Sequence, residues 1–468
     1  MPRIPIPFNG PSFESRSPQT NDQLTVNWYP RPEQGGAKSK LTLAPTPGLT
    51  LLGTATNGPC RSNGVVFKGD AYFVSGNRLI KIDSSDTITN IGSLNTSDGR
   101  ASIAAGKSSL MVTDGVNGYS YDGTTFAVIG SNLLTASYCE WVDNYFIIVN
   151  NDTNVFQISA LDDPTTWSAT DIASAEKRAD NAVRPVWFRG DLMIAGTETC
   201  ELYFNSGNAD FPWDVYPNAV FEWGAAAVDS VSVLSNTVFM LASSREGGYV
   251  VLRMSSETPQ IISNKDLEWQ ISQLSSISDA IGFAYRQFGH SFYQLTFPSA
   301  NRTFVWDDTT QVWHERQSGT DRHRAAGHVF FNGKNIVGDH TSGKYYSQDA
   351  SNYTDNGSTI FRIRRAPVAH KDRKRIFYNR LDIDFDFGSG LTSGQGSDPQ
   401  AMLRWSDDGG YTWKDEQWRG IGKIGEYSRR ARWSSIGASR NRVFELRVSD
   451  PVNVRVIDAY ADIELGQD

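Results

Sequence analysis

What most constrains this chain is a recurrence. Seven times between residues 64 and 349 an apolar run rich in Val, Ile, Phe and Tyr is followed by a tight polar turn, a second such run, and often a third. The copies occupy residues 64–83, 103–123, 138–159, 186–206, 231–255, 282–307 and 327–349. Short β-branched and aromatic runs, bounded by turn residues at spacings of roughly 8–12, are strands joined as hairpins. Lys68-Gly69-Asp70, Ser75-Gly76-Asn77, Arg189-Gly190-Asp191 and Asn332-Gly333-Lys334 suit such turns, because Gly and Asn accept positive φ at little cost. A repeat of roughly 35–50 residues with several strands is the period of a propeller blade. One blade cannot bury both faces of its sheet, whereas a ring of blades can, and ring closure leaves few exposed edges. The expected fold is therefore all-β, with an irregular β-propeller of about seven blades as its body. Neither the W-D dipeptide nor the kelch double glycine recurs. Helix signals are scarce, and only the stretch from Ile172 to Asn181 tolerates one.

The flanks differ from the repeat. Proline stands at 2, 5, 7, 11, 18, 30, 32, 45 and 47, fixing φ and removing donors, so residues 1–55 read as an extended arm. Trp28 and Tyr29 within it need burial. Packing on the chain's own propeller is the plainer reading, and docking on a neighbouring subunit makes them candidate interface residues. The propeller is expected over 56–350. Near residue 350 the strands lengthen and alternate cleanly. Leu381 to Phe387 sets apolar residues against Asp382, Asp384 and Asp386, and Phe444, Leu446 and Val448 alternate with Glu445 and Arg447. Residues 351–468 therefore read as a β-sandwich.

Charge and cysteine usage narrow the setting. The chain of 468 residues holds 44 Lys and Arg against 52 Asp and Glu, for a net charge of −8. Of these, 19 and 16 fall in residues 358–468, leaving 25 and 36 for the rest. An acidic body argues against wrapping duplex DNA over a broad surface. Cys60, Cys139 and Cys200 are odd in number, far apart and without C-x-x-C spacing, which argues against a disulfide framework or a zinc site and for a reducing compartment. Residues 1–7 lack an apolar signal-peptide core, and no apolar run of about 18 residues exists to span a bilayer.

Chemistry is sparse. His314, His323 and His328 lack helical spacing for a metal site, and strand-end or loop histidines are the default. No G-x-S-x-G, H-E-x-x-H or P-loop pattern occurs, and no carboxylate pair stands out for glycoside chemistry. No catalytic residue, metal or cofactor is expected. The most specific local pattern is Ser406-Asp407-Asp408-Gly409-Gly410-Tyr411-Thr412-Trp413, which matches the Asp-box hairpin S-x-D-x-G-x-T-W. There Ser406, Asp408, Gly410, Thr412 and Trp413 act as a folding device: the Asp accepts turn N–H groups, Gly takes positive φ and Trp packs beneath. The strongest charge feature is the run Arg362, Arg364, Arg365, Lys371, Arg373, Lys374 and Arg375. It is a candidate interface for an acidic protein or DNA phosphates, against the plain reading of a solvated strand and turn. The Asp382, Asp384 and Asp386 stripe reads as a solvent face opposite basic strands rather than a Ca²⁺ site.

The order of parts then becomes informative. Asn27-Trp28-Tyr29-Pro30 and Pro45-Thr46-Pro47-Gly48-Leu49 precede the propeller. Within it Trp187-Phe188-Arg189-Gly190-Asp191-Leu192 is followed by Glu198 to Phe204. The sandwich holds Ser406 to Gly410, Gly422-Lys423-Ile424-Gly425 and Arg442 to Leu446, then Pro451-Val452. Over nearly its whole length the chain resembles the packaged-DNA stabilisation proteins, or tail hub proteins, of short-tailed bacteriophages. The resemblance implies a non-enzymatic virion protein, built in the bacterial cytoplasm as a ring of six in the tail. Such a ring lies below the portal and adaptor proteins, closes the channel, retains packaged DNA, and attaches a tail needle and tailspikes or fibres, without inserting in a membrane. The acidic body is consistent with a channel past which DNA slides without sticking, and deleting residues 1–45 is expected to leave the propeller folded but impair ring formation. The alternatives are a phage-tail propeller that binds or degrades a host receptor or glycan, marked by a central cleft with two carboxylates and exposed Trp, and a cellular propeller scaffold.

Overall fold

The computed structural model describes residues 2–466 apart from 19, 36, 131, 257, 373, 387, 389 and 428. Six of its sheets are propeller blades in their own right. The first uses Val65–Phe67, Asp70–Ser75, Arg78–Ile82 and Ile88–Ser93, and the second Ser102–Ala105 through Phe126–Val128. The third runs from Cys139–Val142 to Asp163–Ser174 and the fourth from Ala182–Phe188 to Trp213–Phe221. In the fifth the inner strand is split into Gly224–Ala225 and Ser232–Leu234 around a 3₁₀ turn, Val228–Ser230. The sixth blade, Ile281–Gln287 through Val312–Glu315, is one end of an eleven-stranded sheet that continues into the sandwich. The seventh pairs Ala325–Phe331, Lys334–Asp339 and Lys344–Asp349 with Gly48–Thr54. Seven apolar clusters, one at each seam between neighbouring blades, close the ring and fix the count at seven among the described residues.

Each of the seven recurrent segments supplies the inner strands of one blade. Lys68-Gly69, Arg189-Gly190 and Asn332-Gly333 hold positive φ at both hairpin positions, as the twist of tight hairpins demands. Cys60, Cys139 and Cys200 are free thiols buried in three of the seams, and burial pushes Cys139 and Cys200 up to about 12.

The proline-rich N-terminal stretch is extended, as its prolines require, but it does not project. The expected arm is shared between the two domains. Arg3–Pro5 pairs with Val456–Leu465, and Trp28–Pro32 and Leu41–Pro45 form the margin of that same sandwich sheet. Asp22–Val26 pairs with Arg362–Arg365 in the other sandwich sheet. Gly48–Thr54 closes the propeller as the outer strand of blade seven. Only glycine fits at position 48, where a Cβ would lie 2.5 Å from the carbonyl oxygens of Asn352 and Thr354.

The sandwich core packs Leu381, Ile383 and Phe385 of one sheet against Leu403, Phe444, Leu446 and Val448 of the other, which is the inward set of the period-two pattern. The opposite face of Ile376–Phe385 is no open acidic stripe. Arg3, Arg380 and Arg432 cover Asp382, and Lys38 and Arg430 cover Asp384, so both carboxylates are buried under cations. Asp386 is exposed, and Phe387 lies outside the described residues.

The α-helix among the described residues is Lys265–Ser272, not the stretch 172–181, which continues the long outer strand of blade three and then runs as a loop. Asn264 caps it, its side chain accepting from the Leu267 N–H, and Asp266 and Glu268 stand in the first turn.

Candidate functional site

The residues singled out from the sequence converge on the junction between propeller and sandwich. Asn27 is its pin. It sits at φ 55°, a conformation Asn tolerates better than most residues. Its backbone N–H donates to the Glu315 carbonyl, 2.9 Å, in the outer strand of blade six. Its side-chain amide donates to the carbonyls of Gln317 (3.1 Å) and Phe361 (2.8 Å) and accepts from the Gln317 N–H (3.0 Å). One buried amide thus ties the N-terminal stretch to the end of blade six and to the start of the sandwich.

The two aromatics after it go opposite ways, as neighbours in a strand must. Trp28 is fully buried in the sandwich core and donates through Nε1 to the Val454 carbonyl, 3.0 Å. Tyr29 is buried in the seam between blades six and seven with Phe292, Val305 and Tyr346, its ring 5.4 Å from that of Phe292. Neither is available to a neighbouring subunit.

The basic run splits in the same manner. Arg362 and Arg364 point inward and are fully buried. Arg364 donates to the Pro11 carbonyl (2.7 Å), Thr25 Oγ1 (2.9 Å) and Gln23 Oε1 (2.8 Å). Arg362 reaches the Asp450 carbonyl at 3.3 Å. Burial away from carboxylates lowers both guanidiniums, Arg362 to about 10 and Arg364 to about 9. Arg365 lies between Asp22 (2.6 Å) and Glu445 (3.0 Å). These three arginines therefore hold the N-terminal stretch onto the sandwich, and strand alternation makes them neither the expected interface for an anionic partner nor a solvated strand. Lys371, Lys374 and Arg375 are exposed on the following turn, and Arg373 lies outside the described residues.

Glu445 anchors the charged side of the junction. It is fully buried and accepts from Arg365, Arg404 (2.7 Å) and Arg447 (2.7 Å). Burial alone would raise its pKa, but the guanidiniums outweigh burial and hold it below the usual carboxylate value. Nearby, Arg302 bridges Glu14 and Glu315, each at 2.8 Å.

The Asp-box hairpin docks on this network. Ser406 Oγ donates to Asp408 (2.6 Å) and accepts from the Gly410 N–H (2.8 Å). Asp408 accepts from the Thr412 N–H (2.9 Å) and hydroxyl (2.6 Å), and these bonds hold its carboxyl well below the ordinary range. Trp413 donates to the Gly410 carbonyl, 3.0 Å, and its ring lies under the guanidiniums of Arg365 and Arg404 at 5.0 and 4.5 Å.

The propeller axis is where an enzyme of this architecture would gather its groups. Arg100 spans it, reaching Asp229 of blade five (3.4 Å) and the Ala326 carbonyl of blade seven (3.0 Å). Arg184 donates to the Val231 carbonyl (3.1 Å) and lies 5.2 Å over the Tyr138 ring. Glu140, in the inner strand of blade three, is held above the usual carboxylate value because burial outweighs the charge of Arg184. Trp418, in the sandwich, is the one exposed tryptophan among the described residues. His314 and His323 are buried and His328 half-buried beside the seam of blades six and seven, and desolvation lowers all three, His323 to about 3 and His328 to about 4. No His, Cys, Asp and Glu group suited to a metal ion occurs among the described residues.

Sequence reasoning overlooked Asn27 and Glu445. Asn27 stood in view before the aromatic pair, and Glu445 stood as an outward acid in an alternating strand. Neither type signals burial, because their cost is offset by partners distant in sequence.

The fold is thus a ring of blades welded by a shared sheet to a β-sandwich. The chain belongs to the bacteriophage P22 Gp10 family: residues 2–352 match its β-propeller and residues 362–464 its β-sandwich. It is accordingly a structural phage tail protein. No curated protein matches the sequence. Among solved structures, the N-terminal domain of Nup159 is 11% identical with a TM-score of 0.39, over 69% of this chain and 98% of that one. The extracellular domain of BT4673 from B. thetaiotaomicron is 11% identical with a TM-score of 0.45, over 90% of this chain and 61% of that one. Virginiamycin B lyase from Staphylococcus aureus is 10% identical with a TM-score of 0.44, over 64% and 98%. These likenesses are too distant to bear on function. No helix among the described residues is long and apolar enough to cross a membrane.

Proposed function

We propose that this protein is the hub of a short phage tail: a ring of copies, six by the family resemblance, seated below the portal and adaptor, closing the channel behind packaged DNA and carrying the needle and the spikes or fibres. The observation that carries the reading is the junction. Asn27, Trp28, Tyr29 and the buried arginines lock propeller and sandwich into one block, which suits a part that bears load between larger assemblies. Loops at the blade ends are left free to specify partners. Assembly takes place in the bacterial cytoplasm, where the three thiols stay reduced.

The test is imaging and retention together. Electron microscopy of the virion is expected to place the chain as a ring directly under the adaptor, and particles lacking it are expected to package DNA and then lose it to added nuclease. A location at a fibre tip, or particles that retain DNA without it, overturns the reading. A lumen lined mainly by Lys and Arg overturns the idea that DNA slides past an acidic wall.

A further inference from the structure

The sandwich ends in an edge to which no further strand of the described residues pairs. Gln417–Gly420 is the last strand of the eleven-stranded sheet, four strands beyond Asp22–Val26, which joins it to blade six. At about 4.8 Å per strand that is about 19 Å from the junction. Ala431–Ser434 is the matching edge of the other sandwich sheet. Arg419 Nε donates to the Arg432 carbonyl (2.9 Å) and Trp433 Nε1 to the Gln417 carbonyl (2.9 Å), so the two edges are laced together. Trp418 on the first edge strand and Ile424 and Tyr427 in the connection between the two are 55%, 57% and 73% exposed.

Charge accompanies these side chains. Residues 417–432 hold five Lys and Arg against one acid, Glu426. Arg429 pairs with Glu426 at 3.0 Å and Lys423 with Asp398 at 3.6 Å, both in exposed pairs that a partner can replace at little cost. Exposed Trp and Tyr beside Arg is the composition of an interface centre rather than of an idle edge.

The complement is on the same chain. Blades three and four, residues 139–221, hold 13 Asp and Glu against four Lys and Arg, nine of the twelve net negative charges of residues 56–350. Their outer ends enclose a groove of about 450 Å³ lined by Asp143, Asp171 and Asp210, with Leu161 65% exposed at its lip. Blade three is three steps from blade six, the greatest separation a ring of seven permits. Each molecule therefore has an acidic, partly apolar side and, beyond the junction, a basic aromatic edge. They cannot meet within one molecule held by the rigid junction, and they suit a head-to-tail contact that repeats until it closes.

We infer that the sandwich edge around Trp418, Ile424 and Tyr427 is a docking surface for a second copy of this chain, received by the acidic groove of its blades three and four. This rests on the proposed ring and names its surfaces.

A charge exchange tests it on the full chain. Lys423→Glu with Arg429→Glu, and separately Asp171→Lys with Asp210→Lys, are expected to weaken self-association about 100-fold by like-charge opposition while thermal unfolding stays unchanged. Mixed in equal amounts, the two variants are expected to restore association as alternating copies, read by sedimentation velocity. Wild-type association with both variants unaffected, or without rescue on mixing, overturns this inference and leaves the proposed function standing. A wild-type chain that never self-associates overturns the ring as well. Salt-dependent binding of a fluorescent duplex oligonucleotide that the sandwich variant loses while still self-associating assigns the edge to DNA and overturns the inference too.

Discussion

Trp28 and Tyr29 are consecutive residues of one strand whose side chains lie in different domains: the indole in the sandwich core, the phenol ring in the seam of blades six and seven. Strand alternation alone does this, and it makes a two-residue step the place where the domains are joined.

Truncating each aromatic should therefore loosen a different body. Trp28→Ala is expected to cost about 3–5 kcal/mol, with faster amide exchange in Ile376–Phe385 of the sandwich. Tyr29→Ala is expected to raise exchange in blades six and seven instead. Equal effects of both variants on both domains would contradict the division.

Asn27→Ala removes the amide that holds Gln317 and Phe361 and leaves their buried backbone groups unpaired. A loss of about 1–3 kcal/mol is expected, read as a lower urea midpoint. Unchanged stability would mean that water replaces the amide.

Deleting residues 1–45 is now expected to do more than impair assembly. It removes Ile6, Phe8, Trp28 and Leu43 from the sandwich core, while Gly48–Thr54 still closes the propeller. The truncated chain should bind a hydrophobic dye and lose exchange protection in the sandwich and, with Tyr29 and Ala44 gone, at the seam of blades six and seven, while blades one to five stay protected. A truncated chain with a fully protected sandwich would refute this.

Acid should act through Glu445. Its pKa is depressed in the folded state, so its stabilisation is present above the ordinary carboxylate value of 4.5 and is lost as pH falls through the depressed one. Glu445→Gln removes the anion that Arg404 shares with Arg365 and Arg447, which retain Asp22 and Glu416, and is expected to cost about 3–5 kcal/mol at neutral pH. Urea midpoints of the two proteins should converge as pH is lowered below 4.5, and a constant gap would exclude Glu445 as the source.

Gly410→Ala tests the Asp-box. The residue sits at φ 104°, and an added Cβ would lie 2.9 Å from Asp22 Oδ2. Destabilisation by more than about 1 kcal/mol is expected, with earlier proteolysis near residue 410.

The propeller was legible because its rule is local: hairpin, turn and period recur within each blade, so seven segments could be marked without knowing their neighbours. The Asp-box was legible for the same reason, its bonds running between residues 406 and 413. The junction was not. Arg364 touches Pro11 and Gln23, and Asn27 touches Phe361, across more than 300 residues, and no periodicity reports such distant partners. Proline spacing correctly signalled extended backbone, but a packed edge strand and a projecting arm share that signal. The helix Lys265–Ser272 escaped notice for its brevity, although Asn264 and the acids after it were a start signal.

The strand Gly48–Thr54 has a consequence for how the molecule is made. It is synthesised before its partner, Lys344–Asp349, which follows nearly three hundred residues later. The circle of blades can be latched only once that partner has been made, and until then an unsatisfied strand waits beside Trp28 and Tyr29 for surfaces that do not yet exist. Slow maturation and a need for protection during synthesis are therefore written into the order in which this protein's strands are born.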